Sequence, residues 1–262
     1  RQMCIRDSFR GVLSTVTVLG ISVTGFFAIP AHASAPPSGE YSCSTGTTGG
    51  PSPTYSITNS GAVVEVTAGS DCGGAVRIAP GVTSIGRSAF EGGSLTSISI
   101  PNSVISIGNN AFDSSDLESI TIAGGSALQS IGVEAFLLSK IQRIDLSATT
   151  SLISIGASAF LLASELESVI LPNSVTTIGA RAFEQSGLTS IILPNRITSI
   201  ESETFKFAGD LTSVIIPNSV TSIGTRAFYG SGLTSIVIPN GITSIETGTF
   251  GFAADLTSVT IP

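Results

Sequence analysis

Few side chains in this sequence are of the types that perform catalysis or hold metal ions, and those few are scattered. The only histidine, His32, lies in a segment that we expect to be removed from the mature protein. Asp113, Asp116 and Glu118 are close together, but their spacing lacks the glycine and the bidentate glutamate of a twelve-residue calcium loop. The sequence has no nucleophile elbow and no glycine-rich phosphate-binding loop. We therefore predict a protein that is not an enzyme and that has no metal site and no cofactor.

Cys43 and Cys72 are the only cysteines after residue 33, and they flank a segment with two short extended runs, residues 54–58 and 62–67. Two cysteines in an exported chain most often form a disulfide. A metal or redox pair is the alternative, but it needs further ligands or a C-x-x-C spacing. We predict a disulfide that ties a small β cap over residues 34–75, covering the open N-terminal edge of the domain that follows.

The N-terminal segment has the composition of a secretory signal. Arg6 and Arg10 precede an apolar run over residues 12–29, and three alternating alanines ending at Ala35 supply candidate cleavage sites. A transmembrane anchor is the alternative, because about 18 apolar residues are nearly enough to span a bilayer, although interspersed glycine, serine and threonine weaken it. We predict that residues 1–33 combine an artefactual start with a signal peptide, and that no membrane insertion remains after cleavage.

An internal repeat organises the chain after residue 75. The stretch Leu233–Phe250 (LTSIVIPNGITSIETGTF) matches Leu188–Phe205 at 13 of 18 positions, and Leu211–Phe228 matches Leu166–Phe183 at 14 of 18. A 45-residue unit of two alternating repeats therefore occurs twice in succession. Phenylalanines recur every 22 to 24 residues, at Phe90, Phe112, Phe136, Phe160, Phe183, Phe205, Phe228 and Phe250. A fixed period of this length predicts a solenoid of stacked coils.

Every coil has the same internal pattern. A strand of the form L-x-x-I-x-I follows each phenylalanine, and a turn, usually Pro-Asn, follows the strand. A second apolar pair comes before the next phenylalanine, and the apolar side chains are expected to point inward in columns. A glycine follows this pair in six coils, where we expect a bend with positive φ; Glu201 and Glu246 take the slot in two others. The glycines are Gly86, Gly108, Gly132, Gly156, Gly179 and Gly224.

This pattern predicts a mainly β solenoid of about eight coils, each of 22–24 residues, over residues 76–262. The array stops inside a repeat at residue 262, without the polar outer face that terminal repeats need. We therefore expect the chain to be a fragment that is truncated at its C-terminus.

The repeat resembles the BspA-type, or treponemal, leucine-rich repeat, whose pattern is L-x-x-I-x-I-P-x-x-V-x-x-I-G-x-x-A-F-x-x-C. The resemblance covers about residues 82–262. It implies a curved parallel β solenoid on a bacterial secreted or cell-surface protein, often used for adhesion to proteins of a host or a neighbouring cell. One departure is that small residues replace the cysteine expected three positions after each phenylalanine, namely Gly93, Ser115, Ser139, Ala163, Ser186, Ala208, Ser231 and Ala253.

Strand alternation predicts two outward columns, one on each side of the second apolar position of each long strand. The first is a serine ladder, including Ser168, Ser190, Ser213 and Ser235, that is interrupted by Arg143. The second changes from polar residues, including Asp145, to four consecutive apolar ones: Ile170, Ile192, Ile215 and Val237, which we call the apolar strip. A contiguous exposed apolar strip marks an interaction surface, although β-branched residues also simply suit strands and missing sequence could cover the strip. We predict that these ten residues bind an extracellular or cell-surface protein.

Two other functions fit the repeat. The solenoid could be a structural spacer that displays a domain beyond residue 262. A threonine lattice for ice or crystalline polysaccharide is the third option, formed by Thr83, Thr176, Thr198, Thr221 and Thr243 and broken by Ile105, Gln129 and Ile153. The net charge of −7 argues against a nucleic-acid partner, because such proteins need a basic stripe to displace counterions from phosphates.

Overall fold

The computed structural model describes residues 16–18, 21–23, 35–43, 54–60, 64–69 and 72–261, which contain strands and turns but no helix. The chain divides into two compact units, Arg1–Ser34 and Ala35–Pro262. In the first unit, β1 (Val16–Val18) and β2 (Ile21–Val23) form an antiparallel pair. Most of the predicted signal segment, including His32, lies outside the described residues, so the signal stays a prediction. No described helix is long and apolar enough to cross a membrane.

The N-terminal cap is a three-stranded antiparallel sheet of β3 (Gly39–Ser42), β4 (Thr54–Asn59) and β5 (Val64–Ala68). The predicted disulfide joins Cys43 to Cys72, and both cysteines are buried. The Tyr55 hydroxyl accepts a hydrogen bond from the Ala79 amide at 3.0 Å and donates one to the Arg77 carbonyl at 3.2 Å. Burial raises the pKa of this phenol above its usual value. The cap is therefore fastened to the first coil as well as closed on itself.

One strand per coil forms the first face of the solenoid, a parallel sheet in which equivalent residues stand opposite one another. Its strands are β6 (Gly74–Arg77), β8 (Leu95–Ile100), β10 (Ser119–Ile122), β12 (Arg143–Asp145), β14 (Ser168–Ile170), β16 (Ser190–Ile192) and β18 (Ser213–Ile215). A separate parallel pair follows, formed by β20 (Ser235–Val237) and β21 (Ser258–Thr260). The inward residues Ile98 and Ile120 are directly paired, as column packing requires.

The second face consists of two-residue strands that follow the Pro-Asn turns. β7 (Ser84–Ile85), β9 (Ser106–Ile107), β11 (Ser130–Ile131), β13 (Ser154–Ile155) and β15 (Thr177–Ile178) pair in parallel, and β7 also pairs with β5 of the cap. β17 (Ser199–Ile200) and β19 (Ser222–Ile223) form a parallel pair of their own. The second sheet is therefore interrupted between β15 and β17.

The third face is a run of turns that carries the phenylalanine ladder. Successive rings are stacked with centroids 5.1 to 5.6 Å apart and planes within 12° of parallel. Seven of the eight rings have no exposed surface, and Phe250 is partly buried. Small residues fill the expected cysteine slot: the hydroxyls of Ser115, Ser139, Ser186 and Ser231 donate to the phenylalanine carbonyl three residues earlier. The predicted coil and its inward columns are confirmed.

The predicted reason for the glycine slot is wrong. None of Gly86, Gly108, Gly132, Gly156, Gly179 and Gly224 has a positive φ. These glycines are required by close approach instead. A Cβ on Gly156 would lie 2.5 Å from the Gly132 carbonyl carbon, and one on Gly179 would lie 2.4 Å from the Ala157 nitrogen. Each slot glycine also donates its amide to the previous strand, as Gly179 does to Ile155 at 2.9 Å.

Glutamate in this slot separates neighbouring coils. We number the coils 1 to 8 by their ladder phenylalanines, Phe90 to Phe250, and call the contact between two successive coils a joint. At joints 5/6 and 7/8 the slot holds Glu201 and Glu246, and no backbone hydrogen bond among the described residues joins the second-face strands there. A narrow gap, too small for a water molecule, lies beside Ile178 and Ile200 at joint 5/6. We call these two joints open and the others closed.

Candidate binding surface

The apolar strip lies on the outer side of the first sheet, as strand alternation predicts. Its members are well exposed: Ile170 50%, Ile192 66%, Ile215 57% and Val237 64%. The residue before each of them is buried, because successive side chains of a strand point to opposite faces. Ile192 stands opposite Ile215, whereas Ile170 stands opposite Asp145 and Val237 opposite Thr260. The predicted exposure is confirmed, and the strip is bounded by polar residues at both ends.

A serine column and a threonine column lie beside the strip. From coil 6 onward neither column contains a charged residue. Ser190, Ser213 and Ser235 are exposed and Ser168 is half-buried. The preceding column is threonine, and these hydroxyls bond to the previous coil: Thr212 to the Thr189 carbonyl at 3.2 Å, and Thr257 to the Thr234 carbonyl at 3.1 Å. The threonine rotamers are thereby fixed against the backbone. The strip and its neighbours thus form a neutral, ordered surface.

Arg143 and Asp145, which the sequence placed in the binding site, are engaged within the chain. The Arg143 guanidinium donates to the Glu167 carboxylate at 2.9 Å, in a pair that is largely exposed. Hydrogen bonds from the Ser147 hydroxyl and amide lower the pKa of Asp145. The two side chains form the charged border of the strip at coil 4, next to Ser168 and Ile170.

The threonine column of the second face is not carried by a continuous sheet. Thr176 and Thr221 donate their hydroxyls to the preceding coils, to Ile153 at 3.3 Å and Thr198 at 3.2 Å. The open joints separate Thr198 from Thr176 and Thr243 from Thr221, because the second-face strands are unpaired there. A lattice that matches a crystalline surface requires a regular repeat, and this column is interrupted at both joints.

A charged network that the sequence analysis missed crosses joint 5/6 on the third face. Glu184, whose side chain is only 4% exposed, lies 2.6 Å from Arg181 and 3.0 Å from Lys206. Glu203 contacts the same two cations at 3.3 and 3.2 Å and Arg226 at 3.6 Å. Partial burial alone would raise the pKa of Glu203, but the three cations outweigh it and hold that pKa below its usual value. The signal that could have revealed it is the clustering of these charges beside Phe183, Phe205 and Phe228.

No group of three or more His, Cys, Asp or Glu side chains that could hold a metal ion occurs among the described residues. Two of the acidic residues that we considered as calcium ligands contact neighbouring side chains instead. Asp113 accepts hydrogen bonds from Asn110 and Ser114, and Asp116 pairs with Lys140 at 2.7 Å. These contacts account for both carboxylates.

A stack of coils with parallel strands, inward leucine and isoleucine columns and a phenylalanine ladder defines a leucine-rich-repeat β solenoid. Residues 74–186 and 176–262 match the family described as BspA type leucine rich repeat region, in six copies. Because the match covers most of the chain, the protein belongs to this family.

The chain is similar to three solved bacterial structures. A leucine rich repeat protein of T. pallidum shares 31% identity and a TM-score of 0.60, with 67% of this chain and 85% of that one covered. A leucine rich cell surface protein from Faecalibacterium prausnitzii A2-165 shares 27% identity and a TM-score of 0.55 over 83% of this chain. A leucine-rich repeat protein from Bacteroides ovatus ATCC 8483 shares 26% identity and a TM-score of 0.54, with 80% and 75% covered.

This chain spans 55% of the length of the F. prausnitzii protein. Comparison with curated proteins gives no match.

Proposed function

We propose that this protein is a secreted or cell-surface recognition module, without enzymatic activity, that binds an extracellular protein through the apolar strip. The observation that carries the proposal is the strip itself, four aliphatic side chains, each at least half exposed, on successive coils. Contiguous exposed apolar surface is uncommon on soluble proteins unless a partner covers it. The family and the F. prausnitzii neighbour, described as a cell surface protein, support the location.

The chemistry of the surface favours a protein partner. Interface centres are depleted in charged residues and closely packed, and the strip is flanked by neutral serine and threonine columns. The strand backbone beneath it is held by inter-coil hydrogen bonds, such as Leu193 to Ile215 at 3.1 Å. Little conformational entropy is therefore lost when a partner covers the strip.

The experiment is a binding screen with a matched control. The full chain is presented to immobilised extracellular-matrix and envelope proteins, alongside the variant Ile170→Asp, Ile192→Asp, Ile215→Asp and Val237→Asp. The control is Ile105→Asp with Ile153→Asp, which places charge at aliphatic positions that are 40% and 51% exposed on the second face.

We expect a ligand that binds the wild type and the control and is lost with the strip variant, while all three keep the same strand circular dichroism. Equal binding by the strip variant would contradict the assignment. The absence of a ligand for all three proteins would favour a structural spacer that displays another domain.

A further inference from the structure

Two exposed phenylalanines and a half-buried tyrosine form a second surface, on the third face, that is separate from the core ladder. Phe207 is 47% exposed and Phe252, in the last coil of this sequence, is 81% exposed, whereas seven of the eight ladder rings are fully buried. Tyr229 lies between them, with ring centroids 5.4 Å from Phe207 and 5.1 Å from Phe252. We call these three residues the aromatic patch. The patch continues across coils 6, 7 and 8, so its rings are neighbours and not isolated surface residues.

Phe207 and Phe252 occupy a turn position that has a positive φ in all eight coils. Phe207 and Phe252 have φ values of 56° and 57°, in the left-handed region that bulky side chains rarely adopt. The same position of the coil holds glycine in coils 1 and 7, at Gly92 and Gly230. The left-handed turn is therefore a feature of every coil, and what distinguishes coils 6 and 8 is that an aromatic ring stands at this position.

Glycines beneath the rings make room for them. A Cβ on Gly230 would lie 2.6 Å from the Phe207 ring, and a Cβ on Gly251 would lie 2.8 Å from the Tyr229 ring. Each of these two rings is therefore accommodated by a glycine in the next coil.

Cations border the patch. Lys206 Nζ lies 5.6 Å from the Phe207 ring centroid, and the Arg226 guanidinium carbon lies 6.0 Å from the Tyr229 ring centroid. These belong to the network in which three cations share two carboxylates, so the network carries a net positive charge on a chain of net charge −7. Aromatic rings beside arginine are the composition of protein interface anchors.

This charge pattern narrows the partner. A cationic ligand would meet rings that already face Lys206 and Arg226. An anionic membrane extends far beyond the patch and would also face the acidic remainder of the chain, whereas a short acidic segment would meet mainly the local cations. We propose that the aromatic patch binds an acidic peptide segment of a partner protein, with apolar side chains against the rings and carboxylates towards Arg226, whose side chain is 53% exposed.

The test is selection from a random-peptide display library on the full chain, followed by titration of the enriched peptides. The patch variant is Phe207→Gly with Phe252→Gly, which removes two rings and also relieves both strained backbones. The control is Leu138→Gly, which makes the same change at the equivalent position of coil 3, where φ is 54° and the side chain is 50% exposed.

We expect enriched peptides that combine Asp or Glu with aromatic or aliphatic residues, and at least tenfold weaker binding by the patch variant than by the control. Arg226→Gln should weaken peptide binding more at low salt than at high salt. The proposal is overturned if no peptide is enriched, if the enriched peptides lack acidic residues, or if the patch variant binds them unchanged. Saturable binding of anionic lipid vesicles or polygalacturonate, or patch-dependent self-association, with no peptide bound would also overturn it.

Discussion

The closed joint 4/5 and the open joint 5/6 differ at one slot and lead to different structures. At joint 4/5, Gly179 approaches the preceding coil and donates its amide to Ile155, and β13 pairs with β15. At joint 5/6, Glu201 takes the slot and β15 and β17 are unpaired. A Cβ in the slot points at the backbone of the preceding coil, so any side chain must push the coils apart. Among the described residues, two successive coils are therefore hydrogen-bonded on the second face only where the slot residue is glycine.

The open joints are compensated locally and on another face. Glu201 accepts a hydrogen bond from the Ser199 hydroxyl, and the buried Thr204 hydroxyl donates to the Glu201 carbonyl at 2.8 Å. On the third face, backbone hydrogen bonds such as Phe183 to Thr204 at 2.9 Å continue across the joint. Lys206 and Arg181 also cross it to reach Glu184 and Glu203. Joint 5/6 is therefore held from the ladder side and by the pairing of β14 with β16 on the first face.

The largest predicted effect is from opening a closed joint. Gly156→Glu places a side chain where even a Cβ would lie 2.5 Å from the Gly132 backbone. The variant should lose the hydrogen bonds that the amides of Ile153, Ser154 and Gly156 donate to the preceding coil. At about 1 kcal/mol each, their loss should lower the free energy of unfolding by about 3 kcal/mol. Urea unfolding followed by circular dichroism measures it.

The reciprocal variant, Glu201→Gly, is the matched control, because it allows joint 5/6 to close. Its free energy of unfolding should rise, as the new hydrogen bonds outweigh the roughly 1 kcal/mol entropic cost of glycine. Destabilisation by both substitutions would show that the slot residue does not decide closure.

A smaller effect should follow from weakening the side-chain contacts across joint 5/6. Glu184→Gln removes the buried charge shared by Arg181 and Lys206 and should cost about 2 kcal/mol. Glu167→Gln, which breaks the exposed pair with Arg143 in the first half of the array, should cost under about 0.5 kcal/mol. If urea unfolding showed the same loss of unfolding free energy for both variants, the charged network would contribute no more to the open joint than an exposed ion pair does.

The smallest effect should be a pH dependence carried by Glu203. Because its folded-state pKa lies below the usual value of 4.5, its stabilisation is fully present above pH 4.5 and is lost as the pH falls through the lowered pKa. Glu203→Gln should therefore narrow the difference in unfolding free energy between pH 6 and pH 3. A variant with the same pH difference as the wild type would rule out this contribution.

The sequence was sufficient to predict the coil, the inward columns and the exposure of the apolar strip, because each depends on periodicity or alternation within one coil. The disulfide could be predicted because Cys43 and Cys72 are the only cysteines after residue 33. The joints could not be predicted in this way. Glu201 and Glu246 were visible as exceptions, but their effect depends on how closely one backbone approaches the next. The aromatic patch has a signal, the F-x-F of Phe205–Phe207 and Phe250–Phe252, yet only the exposure of Phe207 and Phe252 in the structure shows that the second ring lies outside the core.

Amide hydrogen exchange at the slot tests the central claim most directly. The amides of Gly156, Gly179 and Gly224 donate to the preceding coil, whereas those of Glu201 and Glu246 have no such bond among the described residues. Exchange measured residue by residue on the native chain should be slow at the three glycines and much faster at both glutamates. Equal protection at all five positions would contradict the account, because it would mean that all these joints are closed in solution.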